Sequence, residues 1–202
     1  MNYKHLLFSI LACVTIIQVQ AQVTFKPGLR AGLNFSTFTE THSSYKTGFY
    51  VGGFGEIKLA KRYTLQPEIT YTEQGSNNVT ETYYDYFTNT EKIERKDLKL
   101  NYLSTAVMNK FTFGNGFQLQ VGPTLDFVLN DNLKRRFSDV DLAIVAGIGY
   151  KLPSGLTLEA RVKKGIIDVL DDNYSANNND NLFGDYNTNF LFQLGASYSF
   201  GK

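Results

Sequence analysis

The sequence predicts an all-β fold: eight antiparallel strands, joined in chain order and closed as an up-and-down barrel. Three observations predict it. Side chains alternate between apolar and polar along most of the chain, which is the mark of strands with two unlike faces. The connections alternate between short and long. Tyr (13), Phe (16) and Gly (17) are abundant while Pro (4) is scarce, a composition that suits crowded strands better than helices.

The first 21 residues stand apart from this pattern. Lys4 and His5 give a positive start, and an apolar run follows from Leu6 to Ile17. That run is too short to span a bilayer as a helix. Val19-Gln20-Ala21 then offers a cleavage site, so residues 1–21 are expected to be a signal peptide and residues 22–202 the barrel domain. Leu11-Ala12-Cys13 resembles a lipoprotein cleavage site, but the apolar run continues past it through Val14, Ile16 and Ile17. Cys13 leaves with the signal peptide, which excludes disulfide and thiol chemistry in the domain. With 20 Lys and Arg against 19 Asp and Glu, no basic excess points to nucleic acid.

The strands read as follows. The first runs from about Phe25 to Phe35, with Leu29, Ala31 and Leu33 opposite Gly28, Arg30, Gly32 and Asn34. After a loop from Thr37 to Ser44, the second spans about Tyr45 to Leu59. Phe49, Val51 and Ile57 oppose Tyr50, Phe54, Glu56 and Lys58. The turn Ala60-Lys61-Arg62 leads to the third, about Tyr63 to Glu73, where Pro67 is expected to mark a bulge. A long polar loop is expected from Gly75 to Lys96. The fourth strand, Leu98 to Phe113, alternates too poorly for its faces to be assigned. Gly114-Asn115-Gly116 is a hairpin turn. The fifth, Phe117 to Leu129, sets Leu119, Val121, Leu125 and Phe127 against Gln118, Gln120, Thr124 and Asp126. The sixth begins near Asp141 and ends near Leu152. Pro153-Ser154-Gly155 turns the chain into the seventh, where Leu156, Leu158, Ala160 and Val162 oppose Thr157, Glu159, Arg161 and Lys163. A second long loop, rich in Asn and Asp, runs from Ile166 to about Thr188, and the eighth strand spans Phe190 to Phe200.

Two placements of the apolar face compete. A soluble lipocalin-like barrel would turn it inward, and a membrane barrel would turn it outward. The polar parity carries Arg30, Glu56, Lys58, Glu68, Asp126, Asp141, Glu159, Arg161 and Lys163 among many glycines. Charges of both signs can pair across an eight-stranded lumen, which side chains just fill. The other parity is nearly all apolar, with aromatics at strand ends such as Phe25, Tyr63, Phe117 and Tyr150, as in an aromatic girdle. The expected fold is therefore a transmembrane barrel. Short turns would lie in the periplasm with both termini, and long loops would be extracellular. Outer-membrane lipid is the first partner.

The run GLTLEARVKKGIIDVL, preceded by DLAIVAGIGYKL, resembles the outer-membrane β-barrel domain common in Bacteroidetes, the family that includes the PorT-like proteins. VGPTLDF and the closing Ser197-Tyr198-Ser199-Phe200 fit the same pattern. Two departures stand out. Tyr102-Leu103-Ser104-Thr105-Ala106 replaces the family's Y-L-E-I-P, and the chain ends in Gly201-Lys202 beyond the aromatic. The resemblance implies fold, location and the barrel-assembly machinery as a partner during insertion. It implies no activity.

Candidate chemistry is sparse. His42 is the sole histidine of the domain, and His42-Ser43-Ser44 lies in the first long loop. A nucleophile needs an oriented base, which neighbouring loop residues do not supply. A barrel enzyme working at the outer rim around His42 is therefore the alternative rather than the main reading. Asp168, Asp171, Asp172, Asn173, Asp180 and Asp185 could suit Ca²⁺ but lack EF-hand spacing. Tyr83, Tyr84, Asp85, Tyr86 and Phe87 are contact anchors or a strand extension. Gly52-Gly53-Phe54-Gly55 and Gly147-Ile148-Gly149 sit within strands, not before helices, and make space rather than bind phosphate. No catalytic, cofactor or metal residue is expected. The charged lumen residues are read as a structural network, with Asp126, Asp141 or Glu56 as partners for Arg161. The expected role is structural, adhesive or anchoring of an envelope or secretion complex. A narrow pore or a carrier for a small ligand is a further alternative.

Overall fold

The computed structural model describes residues 24–38, 43–85, 87, 89–132, 138–166 and 188–201. Eight strands run in chain order: β1 (Thr24–Phe38), β2 (Ser44–Lys58), β3 (Tyr63–Asp85), β4 (Thr90–Thr112), β5 (Phe117–Asp131), β6 (Val140–Lys151), β7 (Leu156–Gly165) and β8 (Asn189–Ser199). Each pairs antiparallel with the next. β1 also pairs with β8, from Gly28↔Ser199 to Phe38↔Asn189, and this seam closes the barrel.

The two faces separate as the alternation demands. Leu29, Leu33, Ile69, Val121, Ile148, Leu158 and Leu194 are exposed on the outer wall, while Arg30, Glu68, Gln120, Asp126 and Arg161 are buried inside. Paired rings mark both ends of the outer wall. Tyr63–Phe111 and Tyr198–Phe200 stand 5.3 Å apart near the short turns, and Phe49–Tyr71 and Phe35–Phe192 stand 5.8 and 6.3 Å apart toward the long loops. An apolar wall of this extent would aggregate in water and is at home in lipid. The short turns use glycine where the chain needs a positive φ, at Gly116 (90°) and Gly155 (93°).

Three details differ from the sequence expectation. Much of the expected loop 75–96 is strand: β3 and β4 are 23 residues each and pair out to Asp85↔Thr90. From Thr90 to Arg95 successive residues of β4 are exposed on both faces, so nothing enforces period-two polarity there. Pro67 marks no bulge. Pairing to β4 runs unbroken from Leu65↔Asn109 to Glu68↔Ala106, and the ladder to β2 merely skips between Phe54↔Glu68 and Ile57↔Leu65 without changing register. The described bulges lie at Tyr45/Tyr50, Ser76/Val79 and Asn101/Tyr102. In β4, Leu98, Leu100, Tyr102, Met108 and Lys110 are buried inside while Leu103, Val107 and Phe111 are exposed outside. Apolar residues occupy both faces, which is why the alternation fades.

The closing seam depends on glycine. A Cβ on Gly195 would strike the Tyr50 hydroxyl and the Ala31 carbonyl, and one on Gly32 would lie 2.8 Å from Cε1 of Tyr50. The Tyr50 ring in turn stacks 4.6 Å from the Arg30 guanidinium. Gly195→Val is therefore expected to lower unfolding free energy by about 1–3 kcal/mol through overpacking. Adding Tyr50→Ala should restore part of it. Urea titration followed by the heat-modifiable gel band checks this, and full additivity of the two changes would refute the contact.

Candidate functional site

The lumen is the most organised region of side-chain chemistry. Its centre is built by β1, β3 and β7, which aim Arg30, Glu68, Glu159 and Arg161 inward on the polar parity. Arg161 donates from both terminal nitrogens to Glu68, at 2.9 Å each, and to Glu159 at 3.0 Å. Arg30 donates to Glu68 at 2.7 Å and to Glu159 at 3.2 Å. Gln66 adds a bond to Glu68 at 2.7 Å. Two arginines and two glutamates thus form a closed square with each acid serving both bases. Planar guanidinium forks suit this bidentate geometry.

Lys110 of β4 enters the same space. Its ammonium is 4.0 Å from Glu159 and 5.6 Å from the Phe54 ring, and it has no hydrogen-bond acceptor among the described residues. A second cluster lies toward the long loops. Lys163 pairs with Asp126, which also accepts from Thr124 at 3.1 Å and from Gln74 at 3.4 Å. Asn189 bonds Gln74 in turn. Above it Phe38, Val79, Leu98, Leu100 and Tyr102 pack into an apolar cluster on the inner face. At the short-turn end Glu56 takes two bonds from Lys151, at 3.0 and 2.7 Å.

The structure thus brings Arg30, Glu68, Glu159 and Arg161 together, and separately Asp126 and Lys163. Arg161 meets neither Asp126, Asp141 nor Glu56, because those lie nearer the two ends of the barrel. Asp141 is fully buried but neither carboxylate oxygen has a hydrogen-bond partner among the described residues. Lys58 stands exposed at the short-turn mouth, outside the square. Two charged participants escaped the sequence reading. Lys151 continues the parity of Gly147 and Gly149 and was legible. Lys110 was not, because the faces of its strand carry no clear polarity.

Between the square and Lys163 the free space is only about 20 Å³, lined by Arg30, Glu68, Thr70, Arg161 and Gln193 among others. That is room for about one water. His42, Asp168, Asp171, Asp172, Asn173, Asp180, Asp185 and Tyr86 lie outside the described residues. Among the described residues no group of three His, Cys, Asp or Glu side chains could hold a metal ion.

The long extension of β3 and β4 is the second feature. Tyr84 donates to Asn89 at 2.7 Å at its tip, and Tyr84, Phe87 and Ile93 are exposed. Beyond Asn77 on β3 and before Lys99 on β4, neither strand has a ladder partner other than its hairpin mate among the described residues.

Comparison with known proteins agrees with this architecture. Neisserial surface protein A is 14% identical over 87% of this chain and 97% of its own, with a TM-score of 0.51. The outer membrane protein OprG from Pseudomonas aeruginosa is 11% identical over 89% and 98%, with a TM-score of 0.54. At such identities the likeness concerns fold alone. Among curated proteins no sequence matches. A family model described as an outer membrane protein beta-barrel domain matches residues 20–171. With three quarters of its length matched and its strands closed as that fold requires, the chain belongs to the outer-membrane β-barrel domain family.

Proposed function

We propose that this protein is a membrane-seated platform that presents its β3–β4 hairpin to a protein partner outside the cell, as an adhesive or complex-anchoring element without catalysis. The carrying observation is the contrast between a filled lumen and a projecting hairpin. Between the Arg–Glu square and Lys163 the free space at mid-lumen amounts to about one water, and the apolar cluster of Phe38, Leu98 and Tyr102 stands above the charges. This argues against the pore and carrier readings. The hairpin instead offers exposed Tyr84, Phe87 and Ile93, and aromatic anchors of this kind supply binding energy at interfaces.

The reading includes export with cleavage after Ala21, insertion by the barrel-assembly machinery and both termini in the periplasm. The run G-L-T-L-E-A-R supports a place among the PorT-like barrels of Bacteroidetes, with an envelope or secretion-complex protein as partner. The charged lumen residues serve to hold the barrel together.

Replacing residues 79–96 by a short glycine turn tests the proposal. The expected variant keeps its heat-modifiable band, conducts no ions in planar bilayers, as the parent does, and no longer crosslinks to its partner in whole cells. A photo-crosslinker at Phe87 of the parent should trap one defined protein. Stepwise conductance of the parent would overturn the reading, as would unchanged crosslinking after hairpin removal.

A further inference from the structure

The short-turn mouth of the barrel carries a recess of about 460 Å³ that the proposed function does not use. Lys26, Lys58, Lys61, Arg62 and Lys151 line it, against a single carboxylate, Glu56. That carboxylate is already engaged by Lys151 at 2.7 and 3.0 Å. Lys26 rests on the Gly201 carbonyl at 2.9 Å, a neutral partner. Lys58, Lys61 and Arg62 make no ion pair or side-chain hydrogen bond among the described residues. Five cations thus share one acid in one concavity, although the chain as a whole is almost neutral at +1.

A second observation points the same way. Lys110 pairs with Thr64, and Thr112 lies two residues further along β4; both threonines line the recess. The buried Lys110 ammonium has no hydrogen-bond acceptor among the described residues. Positive charge therefore continues from the rim toward the lumen, where Glu159 lies 4.0 Å from the Lys110 ammonium. Like charges gathered this way repel one another, and a multivalent anion relieves that repulsion.

We infer that this recess binds a phosphate-bearing anion. Phosphate fits better than a single carboxylate because it brings more than one charge and several acceptor oxygens. Lysine ammoniums meet these as point charges and Arg62 meets them as a fork. The volume lies within the range of small-ligand sites, roughly 300–1,000 Å³. The Tyr63–Phe111 ring pair sits at the same end of the barrel, and such aromatic belts mark headgroup depth. The phosphate can come from a lipid headgroup of the adjoining leaflet or from a soluble phosphorylated anion.

The test uses the full chain in phosphatidylcholine nanodiscs, titrated calorimetrically with pyrophosphate. Saturable binding is expected. Lys61→Gln combined with Arg62→Gln, in the exposed turn, should weaken it about tenfold, the effect of losing two exposed charge contacts. Lys58→Gln alone should weaken it less, in the same direction, so that a folding failure of one variant does not decide the outcome. Repeating the titration with phosphatidylglycerol in the discs separates the sources: suppressed pyrophosphate binding assigns the recess to a headgroup, and unchanged binding assigns it to a soluble anion. Absence of saturable binding in phosphatidylcholine, or equal affinity in all variants, overturns the inference.

Discussion

Glu68→Ala is expected to cost about 4 kcal/mol of unfolding free energy, more than any other single change in the lumen. Glu68 accepts from Arg30, twice from Arg161 and once from Gln66. Its removal leaves two buried guanidiniums competing for Glu159. Removing one member of a buried ion pair costs about 3–5 kcal/mol, because the survivor stays desolvated and unpaired. Lys110 sets the order of severity. Counting it, the centre of the lumen holds three cations and two acids. Loss of Glu68 raises the excess of positive charge, whereas Arg161→Ala removes it. Arg161→Ala, which breaks three hydrogen bonds against four at Glu68, should therefore destabilise clearly less than Glu68→Ala. The loss at Glu68 should persist at about 0.5 M salt, since buried pairs are poorly screened. By contrast Lys99→Ala, which breaks an exposed contact of 3.6 Å to Glu73, should cost roughly 0–1 kcal/mol and fade with salt. Urea midpoints in lipid vesicles, read by the heat-modifiable gel band, provide the numbers. Equal costs for Glu68 and Arg161 would show that Lys110 does not act on the square.

Leu194→Arg, in the middle of β8 on the outer wall, is expected to cost about 2–4 kcal/mol in a bilayer. Leu194 is exposed and pairs with Leu33 on one side and Ala160 on the other, so an arginine there has apolar neighbours on both adjoining strands. Leu194→Phe should be nearly neutral because it keeps the surface apolar. The same two variants measured in vesicles of longer and shorter acyl chains should separate further, the arginine being tolerated better in the thinner membrane. If Leu194→Arg were neutral, the outer wall would not be facing hydrocarbon.

The fold was legible where one face meets lipid and the other meets charge. Along β5, β7 and β8 that contrast leaves a polarity of period two, and the eight strands and their order follow from it. It was illegible where the contrast fails. Along β4 the inner face carries Leu98, Leu100 and Met108, as apolar as the outer Leu103 and Val107. Above the barrel, from Thr90 to Arg95, successive residues of β4 are exposed on both faces and the strand resembled a loop. The partners in the lumen were unreadable for a different reason. Arg161 and Glu68 are 93 positions apart, and which inward charges meet depends on the height each reaches on a tilted wall, not on parity. Parity names the inward set. Only the closed register sorts it into the Arg–Glu square, the Asp126–Lys163 pair and the Glu56–Lys151 pair.

The 23-residue strands have a mechanical consequence. β3 and β4 run as unbroken ribbons from the tip of the hairpin to the short turn at the opposite end. A load applied at the tip along the strands reaches the membrane through two ladders, to β2 and to β5, that are stressed in shear. Their hydrogen bonds must yield together and not one after another. Glu68 on β3 lies on that load path and ties it to Arg30 and Arg161 on the far strands. An attached cell or complex would thus pull on the whole cylinder, with the hairpin acting as a mooring post set through the deck.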